Sequence, residues 1–199
     1  MKSVLISIKP KWVEKIASGK KTIEVRKTRP KLETPFKCYI YCTKEKKKDD
    51  FITISGAFGL IRCPECAIYN RAKEYDCNGK VIGEFVCDRI DEFHEWELSP
   101  SKRFYKQEKA RLDLFLKESC LSYGEVCEYR KNLQHIKPLY GWHISDLKIY
   151  DKPKALSDFW TIKCNNKRNG CQGCEIKPNC IKTITRPFQS WGYVEDIGE

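Results

Sequence analysis

The stretch Gly19-Lys20-Lys21-Thr22-Ile23-Glu24-Val25-Arg26 contains a change of period. Up to Gly19 the apolar positions recur at helical spacing; beyond Thr22 they alternate. Gly19 supplies the left-handed stop on which helices end. Ile23 and Val25 then point one way and Thr22, Glu24 and Arg26 the other, which predicts a half-buried strand with a polar face and Lys21 at its entrance. A cation, a carboxylate and a second cation so placed can hold an anion, orient the polar edge of a base or move a proton. The plainer alternative is a solvated strand face with one salt bridge.

Upstream, Val4-Leu5-Ile6-Ser7-Ile8 reads as a short buried strand bounded by Pro10. Pro10 suits the first turn of a helix whose face is Trp12, Val13, Ile16 and Ala17. Lys9 and Lys11 flank that helix start, where their charge opposes the helix dipole, so they serve something other than helix stability.

Downstream, residues 36–42 (FKCYIYC) predict a strand. Residues 51–61 predict another, bent at Gly56 and Gly59, and residues 79–90 a third. Between the last two lies a polar connection holding Cys63, Cys66 and Cys77. A helix is expected to open at Ser99-Pro100, and Ser122-Tyr-Gly-Glu125 fits the capping box of a second. Residues 139–150 (LYGWHISDLKIY) predict one strand ended by Asp151-Lys-Pro153, and residues 188–194 a closing segment returning to the main body. Short strands and a few helices in mixed order imply an α+β fold with a small, strongly curved sheet.

The 38 basic and 27 acidic residues leave a net charge of +11. The surplus is local. The first 48 residues hold 15 basic and 4 acidic residues, and the remaining 151 balance at 23 each. Interleaved with Trp12, Phe36, Tyr39 and Tyr41, this basic segment offers phosphate contacts and stacking surfaces together, which points to nucleic acid. No apolar run approaches a membrane span, and residues 4–8 are too few for a signal-peptide core, so a cytoplasmic protein without a membrane partner is expected.

Twelve cysteines in a reducing compartment read as thiols or metal ligands. Cys164, Cys171, Cys174 and Cys180 have the spacing of a four-sulfur zinc site, with Gly170 and Gly173 permitting the tight turn between the central pair. A stretch this polar needs a metal to fold, and four thiolates leave no open position, so the expected Zn²⁺ is structural. Cys63 and Cys66, with Cys77 and Cys87, form a weaker second pattern. Cys38 and Cys42 alternate with tyrosines and read as packed thiols. His94, His135 and His143 are isolated, and His143 is expected to be structural.

Gly19, Lys21, Glu24 and Arg26 match, position for position, the G-x-K-x-x-E-x-R motif of the ASCH domain superfamily, which this sequence resembles. The resemblance extends to residues 6–12, to GKVIGEF at residues 79–85 and to residues 140–150. It implies a PUA-like β-barrel with a cleft, peripheral helices and, here, the added four-cysteine zinc element. Residues 1–160 would form the ASCH/PUA-like domain, 161–182 the cysteine-rich element and 183–199 a tail rejoining the barrel.

Superfamily members include proposed RNA-binding modules, amidohydrolases acting on acetylated cytidine, and nucleases. In the amidohydrolase branch the position of Glu24 is threonine, so that branch's proposed nucleophile is absent. The leading expectation is therefore binding of RNA or another nucleic acid, or of a nucleoside-like small molecule. Lys9, Lys11, Trp12, Lys21, Thr22, Glu24, Arg26, Trp142 and Ser145 are the candidate contacts, with at most one of Trp142 and Ser145 facing the ligand on a single strand. The alternatives are hydrolysis of a modified nucleoside or of RNA, and a protein-interaction adaptor. In an enzyme, Lys21 would be a tuned amine, Glu24 its acid/base partner, and Arg26 the group that holds a phosphate or an oxyanion.

Overall fold

The computed structural model of the protein describes residues 2–44, 53–55, 60–61, 74–95, 97, 106–134, 136–162 and 180–197. The apolar run near the start forms β1 (Lys2–Ile8), whose residues after Lys2 are all buried. That continuous burial suits an interior strand covered on both faces. β1 runs parallel to β3 (Phe36–Cys42) and antiparallel to β13 (Trp191–Glu195), the segment expected to return to the main body. β3 pairs with β7 (Val81–Cys87), and β7 with β10 (Ser145–Lys154), giving a five-stranded sheet in the order β10-β7-β3-β1-β13.

A second sheet, in the order β2-β9-β8, is built from β2 (Ile23–Arg26), β9 (Leu139–His143) and β8 (Ile90–Phe93). Its inner face supplies Trp142 to the main core, with Val4, Ile6, Ile40 and Phe85 of the large sheet and Val13 and Ile16 of α1 (Pro10–Ala17). Its outer face, through Ile23, Val25, Phe93 and Leu139, packs on Phe115 of α2 (Lys106–Ser119) and Val126 of α3 (Tyr123–Arg130). The described strands thus form separate sheets facing one another, mostly antiparallel, and no closed barrel joins them.

Five expectations about single elements are corrected. The strand over residues 139–150 is two strands in different sheets, parted at Ile144, with Asp146 at a φ of 46° just after the break. Asp151-Lys-Pro153 does not end the second of them. β10 is a sheet edge, where the missing proline N–H breaks no ladder. Within residues 51–61 the chain forms β4 (Thr53–Ser55) and β5 (Leu60–Ile61), paired antiparallel, instead of one bent strand, and β6 (Glu74–Asp76) lies on the other side of β4. Residues 79–90 divide in the same way, β7 entering the large sheet and β8 the small one. Finally, β2 is buried on both faces, because the large sheet covers its polar side.

The capping box of α3 is present as expected: the Ser122 side chain accepts from the Glu125 backbone N–H, and Glu125 Oε2 accepts from Ser122 N at 2.9 Å. The end of β13 is pinned by a polar cluster on the opposite face of the large sheet. Tyr39 donates to Asp196, Lys37 lies 3.2 Å from Asp196 and 3.9 Å from Glu84, and Tyr150 donates to Glu84 at 2.5 Å.

Cys38, Cys42, Cys77 and Cys87 all lie in the main core. Burial pushes the Cys87 thiol up to about 12 and Cys38 well above its ordinary value, so both are packed protonated thiols. Cys63, Cys66, Cys164, Cys171, Cys174 and His135 lie outside the described residues. Cys180 is half-buried, one residue before β12 (Ile181–Thr183), which pairs antiparallel with β11 (Trp160–Ile162). Among the described residues no three His, Cys, Asp or Glu side chains could hold a metal. No helix among them is long and apolar enough to cross a membrane.

Candidate functional site

Gly19 adopts a φ of 71°, which reverses the chain after α1 at a position where an L side chain would be strained. The reversal folds Lys21 N–H back onto the Lys15 carbonyl at 2.9 Å and delivers the start of β2 to the end of α2. That end is a Schellman motif: Leu121 N–H bonds the Leu116 carbonyl, Cys120 N–H bonds the Lys117 carbonyl, and Cys120 holds a φ of 54°. The motif leaves the last two helical carbonyls free. Glu118 O accepts from Thr22 N–H at 2.9 Å, and Ser119 O accepts from Lys21 Nζ at 2.7 Å. The negative end of the α2 dipole therefore sits on the Lys21 ammonium.

Lys21, Glu24 and Arg26 are brought together and are 2%, 6% and 7% exposed. Glu24 lies between the cations, with Oε2 3.4 Å from Lys21 Nζ and Oε1 2.9 Å from Arg26. Arg26 also donates to the Ser7 carbonyl at 2.7 Å and the Ser190 hydroxyl at 3.2 Å, tying β2 to β1 and to the segment before β13. Burial lowers the pKa of Lys21 below its ordinary 10.5; Glu24 opposes this and Arg26 adds to it.

Two buried donors on this face have no acceptor among the described residues, Arg26 Nε and Trp142 Nε1. Trp142 is directly opposite Glu24 across the β2–β9 ladder, so Glu24, Arg26 and Trp142 share one face. The indole is held by Phe36 and Trp191, with ring centroids 5.9 and 5.8 Å away.

The other predicted residues are placed less centrally. Ser145 is on β10 and donates to the Val86 carbonyl at 3.0 Å; the one-strand argument relating it to Trp142 fails with the break at Ile144. Lys9 and Thr22 are exposed, and Lys11 forms an exposed ion pair with Glu125 at 2.9 Å. The Ser122 backbone N–H and then Lys11 pull the Glu125 carboxyl down to about 2. Trp12 is half-buried with its ring 5.3 Å from Lys21 Nζ. His143 is engaged by Asp91 at 2.8 Å and by Arg89, the structural role expected of it. Ser7, Ser119 and Ser190 were not foreseen: they act through backbone oxygens or a lone hydroxyl, for which a sequence carries no signal.

No protein-family model matches the sequence, and no curated protein does. The crystal structure of ASCH from Zymomonas mobilis aligns with a TM-score of 0.50 over 97% of this chain and 87% of that one, at 15% identity. The chain has the ASCH fold. At that identity the likeness is one of fold alone. Two mutant forms of the same Zymomonas mobilis protein align with TM-scores of 0.40 and 0.45, at 15% and 14% identity. In this ASCH fold the G-x-K-x-x-E-x-R residues fall where α1, β2 and the end of α2 meet, so the motif that suggested the family is also the motif whose charges are gathered.

Proposed function

We propose that the protein binds RNA, and that the buried Lys21–Glu24–Arg26 set with Trp142 contacts the bound nucleotide. The observation that carries this reading is the pair of buried donors without acceptors, Arg26 Nε and Trp142 Nε1, on the same strand face as the Glu24 carboxylate. Buried N–H groups are almost always paired, and leaving one unmade costs about 1–3 kcal/mol. Two such donors beside a carboxylate match a base edge that offers acceptors and a donor together. The local surplus of charge in the first 48 residues supplies the phosphate attraction. Lys9, Lys11, Trp12 and Thr22 line the approach in this proposal, and Ser145 contributes through its strand alone.

Affinity for a short single-stranded RNA should fall linearly in log–log form with added salt, with a slope of about −0.7 per phosphate neutralised. Lys21→Met should weaken binding by about tenfold or more, as expected for a lost charge-assisted contact. Because the native Lys21 loses its proton below 10.5, affinity should also decline as pH rises toward that value. Stability should move the other way. In the same window the unfolded chain still holds the proton that the native state has released, so unfolding free energy rises with pH. Both pH trends should vanish in Lys21→Met. Affinity indifferent to salt and to pH would remove RNA from the reading.

A second reading, hydrolysis of a modified nucleoside, is favoured by one feature, a buried amine of lowered pKa 3.4 Å from a carboxylate. Turnover of an acylated nucleoside that is lost in Lys21→Met would select it. The structural zinc of Cys164, Cys171, Cys174 and Cys180 is part of the proposal on its spacing. Elemental analysis should find about one zinc per chain, and less than half an equivalent would count against it.

A further inference from the structure

The Trp12 indole has three ammonium groups around it. Lys11 Nζ is 4.2 Å, Lys15 Nζ 5.0 Å and Lys21 Nζ 5.3 Å from the ring centroid. The ring is fixed, since Trp12 packs against the main core from α1. Lys15 follows Trp12 by three residues and so stands on the same helix face, and Lys21 reaches the ring from beyond the Gly19 reversal. Like charges gathered this closely repel one another, and the negative face of the indole is what offsets that repulsion.

The compensation by carboxylates is incomplete. Among the described residues, the ring contacts and ion pairs of this ring and the adjoining buried set join four cations, Lys11, Lys15, Lys21 and Arg26, to two carboxylates, Glu24 and Glu125. Lys15 has no ion pair among the described residues, so the local excess is two positive charges. A base stacked on the indole would have to displace the ammonium groups from the ring, whereas a phosphate meets them where they stand.

We infer that Trp12 gathers Lys11, Lys15 and Lys21 into a subsite for a phosphomonoester, the doubly charged terminal phosphate of an RNA strand. An internal phosphodiester carries one charge and leaves half of the excess unmatched; a terminal monoester matches it. Trp12 is then a positioning residue and not a stacking surface. The inference rests on the RNA-binding reading for the rest of the ligand, but the subsite can be tested apart from it.

One short RNA sequence, prepared with a 5′-phosphate, with a 3′-phosphate and with hydroxyls at both ends, should be titrated at fixed salt, alongside inorganic phosphate. One of the phosphorylated forms should bind about tenfold more tightly than the hydroxyl form, and which of them does so identifies the end that is read. In Lys15→Gln the ratio should fall to within about twofold, and Lys15→Arg should restore it. Trp12→Leu should lose the ratio although it alters no charge, an effect that a purely electrostatic surface would not show. Equal affinity for all three RNAs, or a ratio unchanged in Lys15→Gln, overturns the subsite. If the hydroxyl RNA nevertheless binds with a salt slope, the RNA reading stands without the subsite. Binding of inorganic phosphate through Lys15 with no RNA bound keeps the subsite and removes the RNA reading.

Discussion

Replacing Glu24 with alanine should lower the unfolding free energy by about 3–5 kcal/mol, the largest effect expected of any polar substitution in this protein. Glu24 is the carboxylate that lies between two buried cations, 3.4 Å from Lys21 and 2.9 Å from Arg26. Removing it leaves both in a site from which water is nearly excluded, with the Ser119, Ser7 and Ser190 oxygens as their remaining partners. The comparison that isolates the effect is the set removed as a whole. Replacing Lys21, Glu24 and Arg26 together by apolar residues of similar volume should be neutral or even stabilising, because a buried ion set is costly to desolvate in the first place. Urea denaturation of the two variants checks this. A Glu24→Ala protein within about 1 kcal/mol of the original would mean that the cations hold themselves by other means.

Trp142 separates packing from recognition. Trp142→Ala should cost about 3–5 kcal/mol, because the indole is fully buried between Phe36 and Trp191 and its removal opens a cavity in the main core. Trp142→Phe keeps an aromatic ring there and removes the five-membered part of the indole, including the N–H that has no acceptor among the described residues. Its stability should fall by less than that of Trp142→Ala, because the cavity left is smaller. Its RNA affinity should fall by about 1–3 kcal/mol, the value of the lost ligand bond. An unaltered affinity in Trp142→Phe, measured under conditions where the protein is folded, would show that the indole N–H faces no ligand.

Local features were readable from the sequence, and long-range ones were not. The left-handed stop at Gly19, the alternation of Ile23 and Val25, the Ser122–Glu125 capping box and the packed Cys38 and Cys42 depend on neighbours a few residues away. The motif also put Glu24 and Arg26 on one face of a strand with Lys21 at its entrance. What alternation could not reveal is that the polar side of β2 is covered as well, since a two-residue period reports one buried face and is silent about a second sheet laid over the other. The Ser119 carbonyl that receives Lys21 is 98 residues away in sequence, a pairing no window of sequence contains. The strand expected over residues 139–150 divides for a related reason: its alternation is nearly continuous, and only the transfer to another sheet at Ile144 breaks it.

The pairing of β1 with β13 has a temporal side. Arg26 is fixed in part by Ser190, and Ser7 N–H bonds the Ser190 carbonyl, so one wall of the charged site is made from a segment translated long after its other parts. A growing chain that has just released β1 and β2 from the ribosome already holds Lys21, Glu24, Arg26 and the Ser7 carbonyl, but not the Ser119 and Ser190 oxygens that complete their coordination. Contacts so distant in sequence form slowly, since the intervening polypeptide must first be closed into a loop. The charged set is therefore complete only once Ser190 has been made, and before that Arg26 holds its place without that oxygen.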